Sequence, residues 1–254
     1  GRWTQLKRTI LSVKNIPSIL VEIIVVVDGT PIPDTMQRWF SQRNVLFHLL
    51  PRQRGPAAAR NQGVRLSQGK RILFVDDDDW IYPHGISRLA RLADREESLL
   101  VYGDSVYLRL GEFSSVSGKT EYRVNRSTEF SWPVLLSQNL APIGCYLFHR
   151  SLWDRIGVLD EQIIGVEDWD FVVRAARVSE PKHYPILVYH YYLGQSDSIT
   201  SNREEDFRKG LGRIMAKHRT LMEEHIDLGT LNRMKKKAQG LLPILGVPRK
   251  RTSR

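Results

Sequence analysis

Short apolar runs alternate with amphipathic stretches through the first half of the chain. Residues 21–27 are apolar without a break and precede Asp28-Gly29-Thr30, which predicts a buried parallel strand. Residues 56–68 open with a proline and are followed by Gly69, as is typical of a helix. Residues 71–75 predict a further strand. This alternation indicates a parallel α/β sheet.

The other predicted elements follow the same periodicities. Predicted helices cover residues 6–13, 84–95, 151–156, 168–178 and 204–225, and predicted strands cover 45–50, 99–108, 143–148 and 183–191. We expect one α/β domain over residues 1–202, with an amphipathic helix and a basic tail over 203–254. The stretch that contains Lys235-Lys236-Lys237 and Arg249-Lys250-Arg251 has little core-forming pattern, and we expect it on or off the surface.

Composition and charge narrow the function classes. Hydrophobic residues are 41% and charged residues 26% of 254, which fits a folded globular protein. The net charge is +10, but 14 basic and only 6 acidic residues lie from Arg203 onward, so the preceding body is almost neutral. A uniformly basic nucleic-acid-binding domain is therefore a poor interpretation, and we expect no nucleic-acid partner.

The sequence also predicts the cellular compartment and a role for the basic tail. The single cysteine, Cys145, cannot form an internal disulfide, and no apolar run reaches the length of a membrane span. These features predict a cytoplasmic protein, at most peripheral to the inner face of a membrane. The tail is either a solvated end or a segment attracted to anionic headgroups, at about 1 kcal/mol per basic residue. Vesicle co-sedimentation with residues after Lys235 removed separates the two.

Four consecutive aspartates, Asp76 to Asp79, directly follow the predicted strand at 71–75. Ligands of open α/β sheets bind beyond the carboxyl ends of strands. Adjacent carboxylates repel one another unless a cation or solvent compensates them, and hard divalent cations prefer such oxygen ligands. The alternatives are a metal site and a solvated acidic turn, and the preceding strand favours the metal site.

A second acidic group, Glu167-Asp168-Trp169-Asp170, opens the predicted helix at 168–178. Acids in a first helical turn complement the helix dipole, so capping explains one or two of them. Three acids around a tryptophan exceed that need, and a carboxylate in a partly apolar site can serve as a general base. From the residues alone, both interpretations stay open.

Two further side chains are candidates on weaker grounds. Arg60, in the segment GPAAARNQG, could pair with a phosphate, although a surface arginine on a packing helix explains it equally simply. The phosphate-binding glycine motifs do not occur. His190 could contact a metal or phosphate, and a core or surface histidine is the alternative.

Three segments in order resemble the family 2 glycosyltransferases with the GT-A fold. They are VEIIVVVDGT, GPAAARNQGVRLSQGKRILFVDDDDW and GVEDWDFVVRAAR, and the resemblance extends from about Arg2 to Thr200. It implies a Rossmann-like, mostly parallel central sheet flanked by helices. It also implies metal-dependent transfer of a sugar from a nucleotide diphosphate, most simply a UDP-sugar, with inversion. The implied cofactor is Mn²⁺ or Mg²⁺, and the implied acceptor is a glycan or a lipid-linked molecule in polysaccharide or glycolipid assembly.

The resemblance also implies roles for individual residues. Asp78 corresponds to the metal ligand that bridges to the donor diphosphate, and Asp76 to the acid facing the ribose or the metal. Asp28 matches an acid near the nucleoside, with Arg60 in the neighbouring helix, and Asp168 matches the general base. Further candidates are Asp79, Glu167, Trp169 and His190, and Trp80 and Trp169 are candidates for lining the sugar or acceptor site.

The sequence departs from the family pattern at three points. The resemblance begins just after the family's first strand, so we expect that strand upstream of the printed sequence or replaced by another segment. Val27 stands where the family often has an acid. Tyr192, Leu193, Gln195 and Ser198 stand in a loop where the family has an arginine and a histidine. A non-catalytic nucleotide- or glycan-binding module and a nucleotidyltransferase therefore remain alternative hypotheses.

Overall fold

The computed structural model describes residues 2–109, 121–193 and 204–239. The helices are α1 (Arg2–Lys14), α2 (Asp34–Ser41), α3 (Pro56–Leu66), α4 (Pro83–Arg95), α5 (Trp132–Ser137), α6 (Ser151–Ile156), α7 (Glu167–Ala176), α8 (Glu204–Lys217), α9 (Arg219–His225) and α10 (Leu228–Ala238). The strands are β1 (Ile24–Asp28), β2 (Leu46–Leu50), β3 (Arg71–Ile72), β4 (Trp80–Ile81), β5 (Leu100–Arg109), β6 (Glu121–Asn125), β7 (Tyr146–His149) and β8 (Lys182–Leu193). The loop at Gln195 and Ser198 and the tail at Arg249 lie outside the described residues.

The strands form two sheets. β1 and β2 pair in parallel, and the larger sheet has the order β3-β7-β5-β8-β4 with β6 paired to β5. The predicted α/β fold is confirmed, but the expected mostly parallel pairing is wrong. Among the described strands only β1–β2 and β5–β8 are parallel, and four pairings are antiparallel. One reason is that β6 follows β5 after only eleven residues, and so short a connection favours reversal over a crossover.

The strand predicted to be fully buried at residues 21–27 is only half-buried. All five residues of β1 keep intermediate exposure, and β1 pairs with β2 alone among the described strands. Its side chains Val25 and Val27 pack beside a small cluster that includes Ile10 of α1 and Phe40 of α2. A two-stranded sheet cannot enclose its own strands, and this explains the partial exposure.

The main core spans the larger sheet and the C-terminal helices. Leu211 and Ile214 of α8, Met222 of α9, and Leu231 and Met234 of α10 belong to the same buried cluster as the strands. The last of these helices is absent from the sequence-based prediction. Lys235 and Lys236 are exposed, as expected. No helix in the described part of the chain combines the length and apolarity needed to cross a bilayer.

Two predicted elements change form where tertiary contacts dominate. The helix predicted over 204–225 breaks at His218, whose backbone leaves the helical conformation between α8 and α9. The predicted strand over 143–148 begins with a 3₁₀ turn, Ile143–Cys145, before β7. A Cβ on Gly144 in that turn would lie 2.0 Å from the Tyr189 ring, so only glycine permits this close packing.

Candidate active site

The four consecutive aspartates form a turn, which we call the acidic turn, Asp76 to Asp79. The N–H of Asp79 donates to the carbonyl of Asp76 at 3.2 Å. The side chains then separate: Asp76 pairs with Arg60 at 2.9 Å and Asp77 pairs with Arg2. Mutual repulsion is reduced because each carboxylate enters a different environment.

Asp79 faces the core instead of the open side of the turn. It is 1% exposed, and its Oδ2 accepts the Tyr189 hydroxyl at 2.5 Å. The pKa of Tyr189 is well above its usual value, mainly because the hydroxyl is buried. The carboxylates of Asp76 and Asp79 raise it further. Asp79 therefore anchors the turn to β8, and among the sequence candidates it is the one least open to a ligand.

Asp78 is the member of the acidic turn whose charge is least compensated. Burial raises the pKa of its carboxyl, and the neighbouring Asp77 and Asp76 raise it further. A bound divalent cation would reverse this effect, and hard oxygen donors are what Mg²⁺ and Mn²⁺ take. No cluster of three or more potential ligand side chains occurs among the described residues. The residues thus fit an ion held by one or two carboxylates and completed by substrate phosphates.

Helix α1 holds the backbone of the acidic turn. Thr9 donates its hydroxyl hydrogen bond toward the carbonyls of Asp77, at 3.2 Å, and Asp79, and Arg8 donates to the carbonyl of Asp78 at 2.8 Å. These hydrogen bonds fix the path of the backbone through the turn. The carboxylates are the charged groups that the turn offers to a ligand.

Asp28, at the end of β1, fixes the loop that leads into α3. Its two carboxylate oxygens accept the backbone N–H groups of Arg54 and Gly55, both at 2.7 Å. Gly29 has a φ of +70°, and a Cβ there would meet the backbone nitrogen of Gln53 at 2.3 Å. The two loops can approach this closely because residue 29 is glycine. Asp28 thereby determines where α3 begins.

Arg60 of α3 joins the acidic turn to the second acidic group. One guanidinium nitrogen donates to Asp76 at 2.9 Å and another donates to Glu167 at 2.7 Å. The side chains of Arg60 and Glu167 are 13% and 5% exposed, so both ion pairs are largely shielded from water. The sequence suggests a phosphate contact for Arg60, whereas in the structure its ion-pair partners are two carboxylates.

Asp168 lies in the first turn of α7, beside Glu167. Its Oδ1 accepts the N–H of Trp169 at 2.7 Å, and its Oδ2 accepts the side-chain amide of Asn139 at 3.1 Å. Burial and then the charge of Glu167 raise the pKa of Asp168 to about 6, against the lowering effect of Arg60. At neutral pH this carboxylate is ionised and still has appreciable basicity, as a general base requires.

Asp170, two residues further along α7, has a structural role that the sequence pattern did not indicate. It is fully buried and pairs with Arg174 at 2.9 Å, Lys217 at 3.1 Å and His218 at 2.9 Å. Burial alone would raise its pKa, but the hydrogen bond of His218 and the charge of Arg174 lower it to about 2. The network attaches α8 and α9 to the helix that carries Asp168.

The aromatic candidates pack within the protein. Trp169 is 4% exposed and donates its indole N–H to the carbonyl of Leu135 at 2.6 Å. Trp80 lies between the guanidinium of Arg8, 3.9 Å from the ring centroid, and the ring of His190, stacked at 3.5 Å. With both faces covered, Trp80 has no free face on which a sugar ring could stack.

His190 is a buried partner of Trp80 on β8. Burial, followed by the charge of Arg8, lowers its pKa to about 4. The ring is therefore neutral at physiological pH and offers no positive charge to a phosphate. Its stacking on Trp80 explains its position, and the metal or phosphate contact of His190 stays a prediction.

The α/β fold brings together the acidic turn, Arg60 and the carboxylate of Asp168. Sequence comparison identifies the class of protein. The family model described as Glycosyl transferase family 2 matches residues 1–155, more than half of the chain. The chain belongs to this family and is a glycosyltransferase. The second acidic group lies beyond the matched residues, so its assignment depends on the structure.

Individual relatives agree with this class. The chain is 27% identical over 202 residues to the glycosyltransferase YwdF of Bacillus subtilis (strain 168), covering 78% of this chain and 73% of that protein. It is 29% identical over 168 residues to the PGL/p-HBAD biosynthesis glycosyltransferase of Mycobacterium bovis (strain BCG / Pasteur 1173P2), covering 60% of this chain and 56% of that relative.

A solved structure has the same fold. The crystal structure of S. aureus TarS 1-349 in complex with UDP-GlcNAc superposes with a TM-score of 0.64 at 19% identity, covering 84% of this chain and 62% of that one. At this identity the likeness supports the GT-A type of fold, which the resemblance of the three segments also implied.

Proposed function

We propose that this glycosyltransferase transfers a sugar from a UDP-sugar to an acceptor hydroxyl, with inversion at the anomeric carbon and with Mn²⁺ or Mg²⁺ as cofactor. The observation that carries the proposal is that Arg60 bonds both Asp76 of the acidic turn and Glu167, the residue before Asp168. This supports neighbouring positions for the groups that we assign to the donor and to the acceptor.

The donor half of the proposal uses the acidic turn. Asp78, with Asp76 beside it, would hold the cation, and a bound cation supplies charge stabilisation to the departing diphosphate. Asp28 keeps the 52–55 loop in place near this end of the site through its two backbone hydrogen bonds. The solved TarS complex with UDP-GlcNAc supports a nucleotide-sugar donor, because that protein shares the fold.

The acceptor half uses Asp168. Its carboxylate takes the proton of the acceptor hydroxyl while the acceptor oxygen bonds to the anomeric carbon. The bond from that carbon to the diphosphate oxygen breaks, and the nucleoside diphosphate leaves with the bonding electron pair. Attack opposite the leaving group inverts the configuration. The raised pKa of Asp168, about 6, suits this task. The acceptor in this proposal is a glycan or a lipid-linked molecule, as the family resemblance implies.

Two variants test the two halves separately. Thermal stability is measured with UDP and with UDP-GlcNAc, each with and without Mn²⁺, on the wild type, Asp78→Ala and Asp168→Asn. A ligand at 100 times its Kd adds about 2.7 kcal/mol to the free energy of unfolding. We expect a Mn²⁺-dependent shift in the wild type and in Asp168→Asn, and none in Asp78→Ala.

Turnover completes the test. Asp168→Asn is expected to lower transfer by about 10²- to 10⁴-fold, the usual contribution of a general base. Asp154→Ala, at an exposed aspartate of α6, is the matched control and is expected to retain both ligand shift and transfer. Transfer at wild-type rate in Asp168→Asn would contradict the assigned base, and an equal Mn²⁺-dependent shift in Asp78→Ala would contradict the metal site.

A further inference from the structure

We propose that Asn139 positions the carboxylate of Asp168, fixing the direction from which that carboxylate receives the acceptor proton. This inference rests on the proposed function, because it assigns a task to a residue that acts through Asp168. Asn139 is a positioning residue and not a catalytic one.

The hydrogen bonds of Asp168 define the geometry. Asn139 Nδ2 donates to Oδ2 at 3.1 Å, and the N–H of Trp169 donates to Oδ1 at 2.7 Å. Each carboxylate oxygen has two lone pairs, so each keeps one for another donor. With one fixed donor on each oxygen, the plane of the carboxylate is determined, and the remaining lone pairs point in defined directions.

The orientation of the Asn139 amide is determined too. With Nδ2 toward Asp168, its Oδ1 is buried and has no hydrogen-bond donor among the described residues. Turning the amide over would place Oδ1 against an ionised carboxylate, which is worse electrostatically. An unsatisfied buried carbonyl destabilises the folded state, so this amide has a cost to stability. The hydrogen bond from Nδ2 to Asp168 is the interaction that explains this orientation of the amide.

The segment that carries Asn139 is tied to the helix that carries the base. Helix α5 ends two residues before Asn139, and its residue Leu135 accepts the indole N–H of Trp169 at 2.6 Å. Leu135 is fully buried, and Leu140 on the other side of Asn139 is 5% exposed. Both Asn139 and Asp168 are therefore held on one packed unit, which keeps the donor aligned with the carboxylate.

The other charged groups around Asp168 approach from different elements. Glu167 lies beside it on α7, Arg60 faces it from α3, and Asp76 faces it from the acidic turn. Glu167 and Asp76 oppose ionisation of Asp168, and Arg60 favours it. Asn139, in the loop after α5, adds a neutral N–H donor to the carboxylate of Asp168. Replacing it changes the hydrogen bond to the base while these three charges stay in place.

The experiment compares Asn139→Ala, Asn139→Asp and the control Gln138→Ala in the full chain. Gln138 is the exposed neighbour of Asn139. Transfer is followed as UDP release from UDP-GlcNAc with Mn²⁺ across pH 5 to 9. We expect Asn139→Ala to lower kcat about tenfold, within the usual contribution of a general base, with the donor KM nearly unchanged. Its acid limb should move up by about one pH unit.

Asn139→Asp separates positioning from packing. Aspartate has nearly the same shape as asparagine but presents a carboxylate to a carboxylate, so a positioning role makes this variant worse than Asn139→Ala. If Asn139 only fills space, Asn139→Asp should have a higher kcat than Asn139→Ala. Asn139→Asp at or near wild-type kcat, or an unmoved acid limb in both variants, would overturn the inference. If Asp168→Asn also kept full transfer, the proposed function itself would fail.

A second measurement does not depend on turnover. The pH dependence of unfolding is compared between Asn139→Ala and the double variant Asn139→Ala/Asp168→Asn, and the same pair is made with Asn139 intact. The difference within each pair isolates the titration of Asp168. We expect its midpoint at a higher pH without Asn139. The same midpoint in both pairs would overturn the inference even if UDP-GlcNAc is not the donor.

Discussion

The two acidic groups of this glycosyltransferase have similar sequences and opposite environments. The acidic turn is partly open to solvent, with the Asp76 side chain 42% exposed. The group at the start of α7 is enclosed, with the Glu167 side chain 5% exposed and that of Asp170 not exposed at all. In the turn, repulsion is limited because the carboxylates point to different partners. In the helix, Glu167 and Asp170 need specific partners because both are buried from water, whereas Asp168 keeps intermediate exposure.

The helix group also shows that burial alone does not determine a pKa. Asp168 and Asp170 are two residues apart, yet the pKa of Asp168 is raised to about 6 and that of Asp170 is lowered to about 2. Asp170 has three cationic or hydrogen-bonding partners, whereas Asp168 has two neutral N–H donors and a like charge beside it. The number and charge of the partners decide which of the two carboxyl pKa values is raised and which is lowered.

The largest expected effect comes from breaking the connection between the two groups. Arg60→Met leaves Glu167 buried without its cation, and loss of one partner of a buried pair costs about 3–5 kcal/mol. Chemical denaturation at pH 7 measures the change. The matched control is Arg54→Met, because Arg54 pairs with Glu161 at partly exposed positions, and such pairs contribute about 0–1 kcal/mol. Equal losses in the two variants would contradict the buried role of Arg60.

A smaller, pH-dependent effect on the free energy of unfolding is expected from Asp168, and it tests the contrast with Asp170 on the same helix. The folded-state pKa of Asp168 is raised, so the folded state binds a proton that the unfolded state releases between about pH 4 and 6. The contribution to stability is present below pH 4 and is lost as the pH rises through 6. Asp168→Asn is therefore expected to gain stability relative to the wild type between pH 4 and pH 7.5. Unfolding curves at both values measure this gain.

The outcome for Asp170 should have the opposite sign. Its folded-state pKa is lowered, so its contribution is present above pH 4 and is lost as the pH falls toward 2. Asp170→Asn should lose most relative to the wild type at pH 7.5 and least at low pH. If both variants changed with pH in the same direction, the division into base and anchor would be wrong.

The smallest expected effect is in the acidic turn. Asp77 pairs with Arg2, whose side chain is 76% exposed, and exposed pairs contribute about 0–1 kcal/mol. Asp77→Asn should therefore change the free energy of unfolding by less than about 1 kcal/mol, and 1 M salt should remove the difference because it screens exposed charges. A salt-independent loss of several kcal/mol would show that this end of the site is as enclosed as α7.

The sequence was sufficient for elements that depend on local patterns. Helices α1, α4 and α6 and strand β2 lie close to their predicted bounds, because apolar periodicity and flanking turn residues specify them. The three motifs predicted the family, and the family model confirms it over residues 1–155, which contain the first two of them. The individual environments of Asp76 to Asp79 were not predictable, since the partners Arg2 and Tyr189 lie 75 and 110 residues away.

Other features left no local signal at all. A lone asparagine in the loop between α5 and the 3₁₀ turn before β7 gives no indication that Asn139 contacts Asp168, 29 residues later. The break at His218 interrupts a good amphipathic pattern because a buried carboxylate, Asp170, takes the imidazole as its partner. Both depend on tertiary packing, and a search for hydrogen-bonding residues near the second acidic group in space, not in sequence, is what finds them.

The attachment of Asp170 to Lys217 and His218 has a consequence for the order in which the enzyme is made. A ribosome adds residues one at a time, and domains fold as their parts emerge. When residues 1–155 have emerged, the segment that carries the family signature is complete, but Asp168 has not yet been synthesised. When α7 has emerged, about forty more residues must follow before Asp170 meets Lys217 and His218. The nascent chain thus acquires the residues that match the family model well before it acquires the carboxylate that we propose as the base.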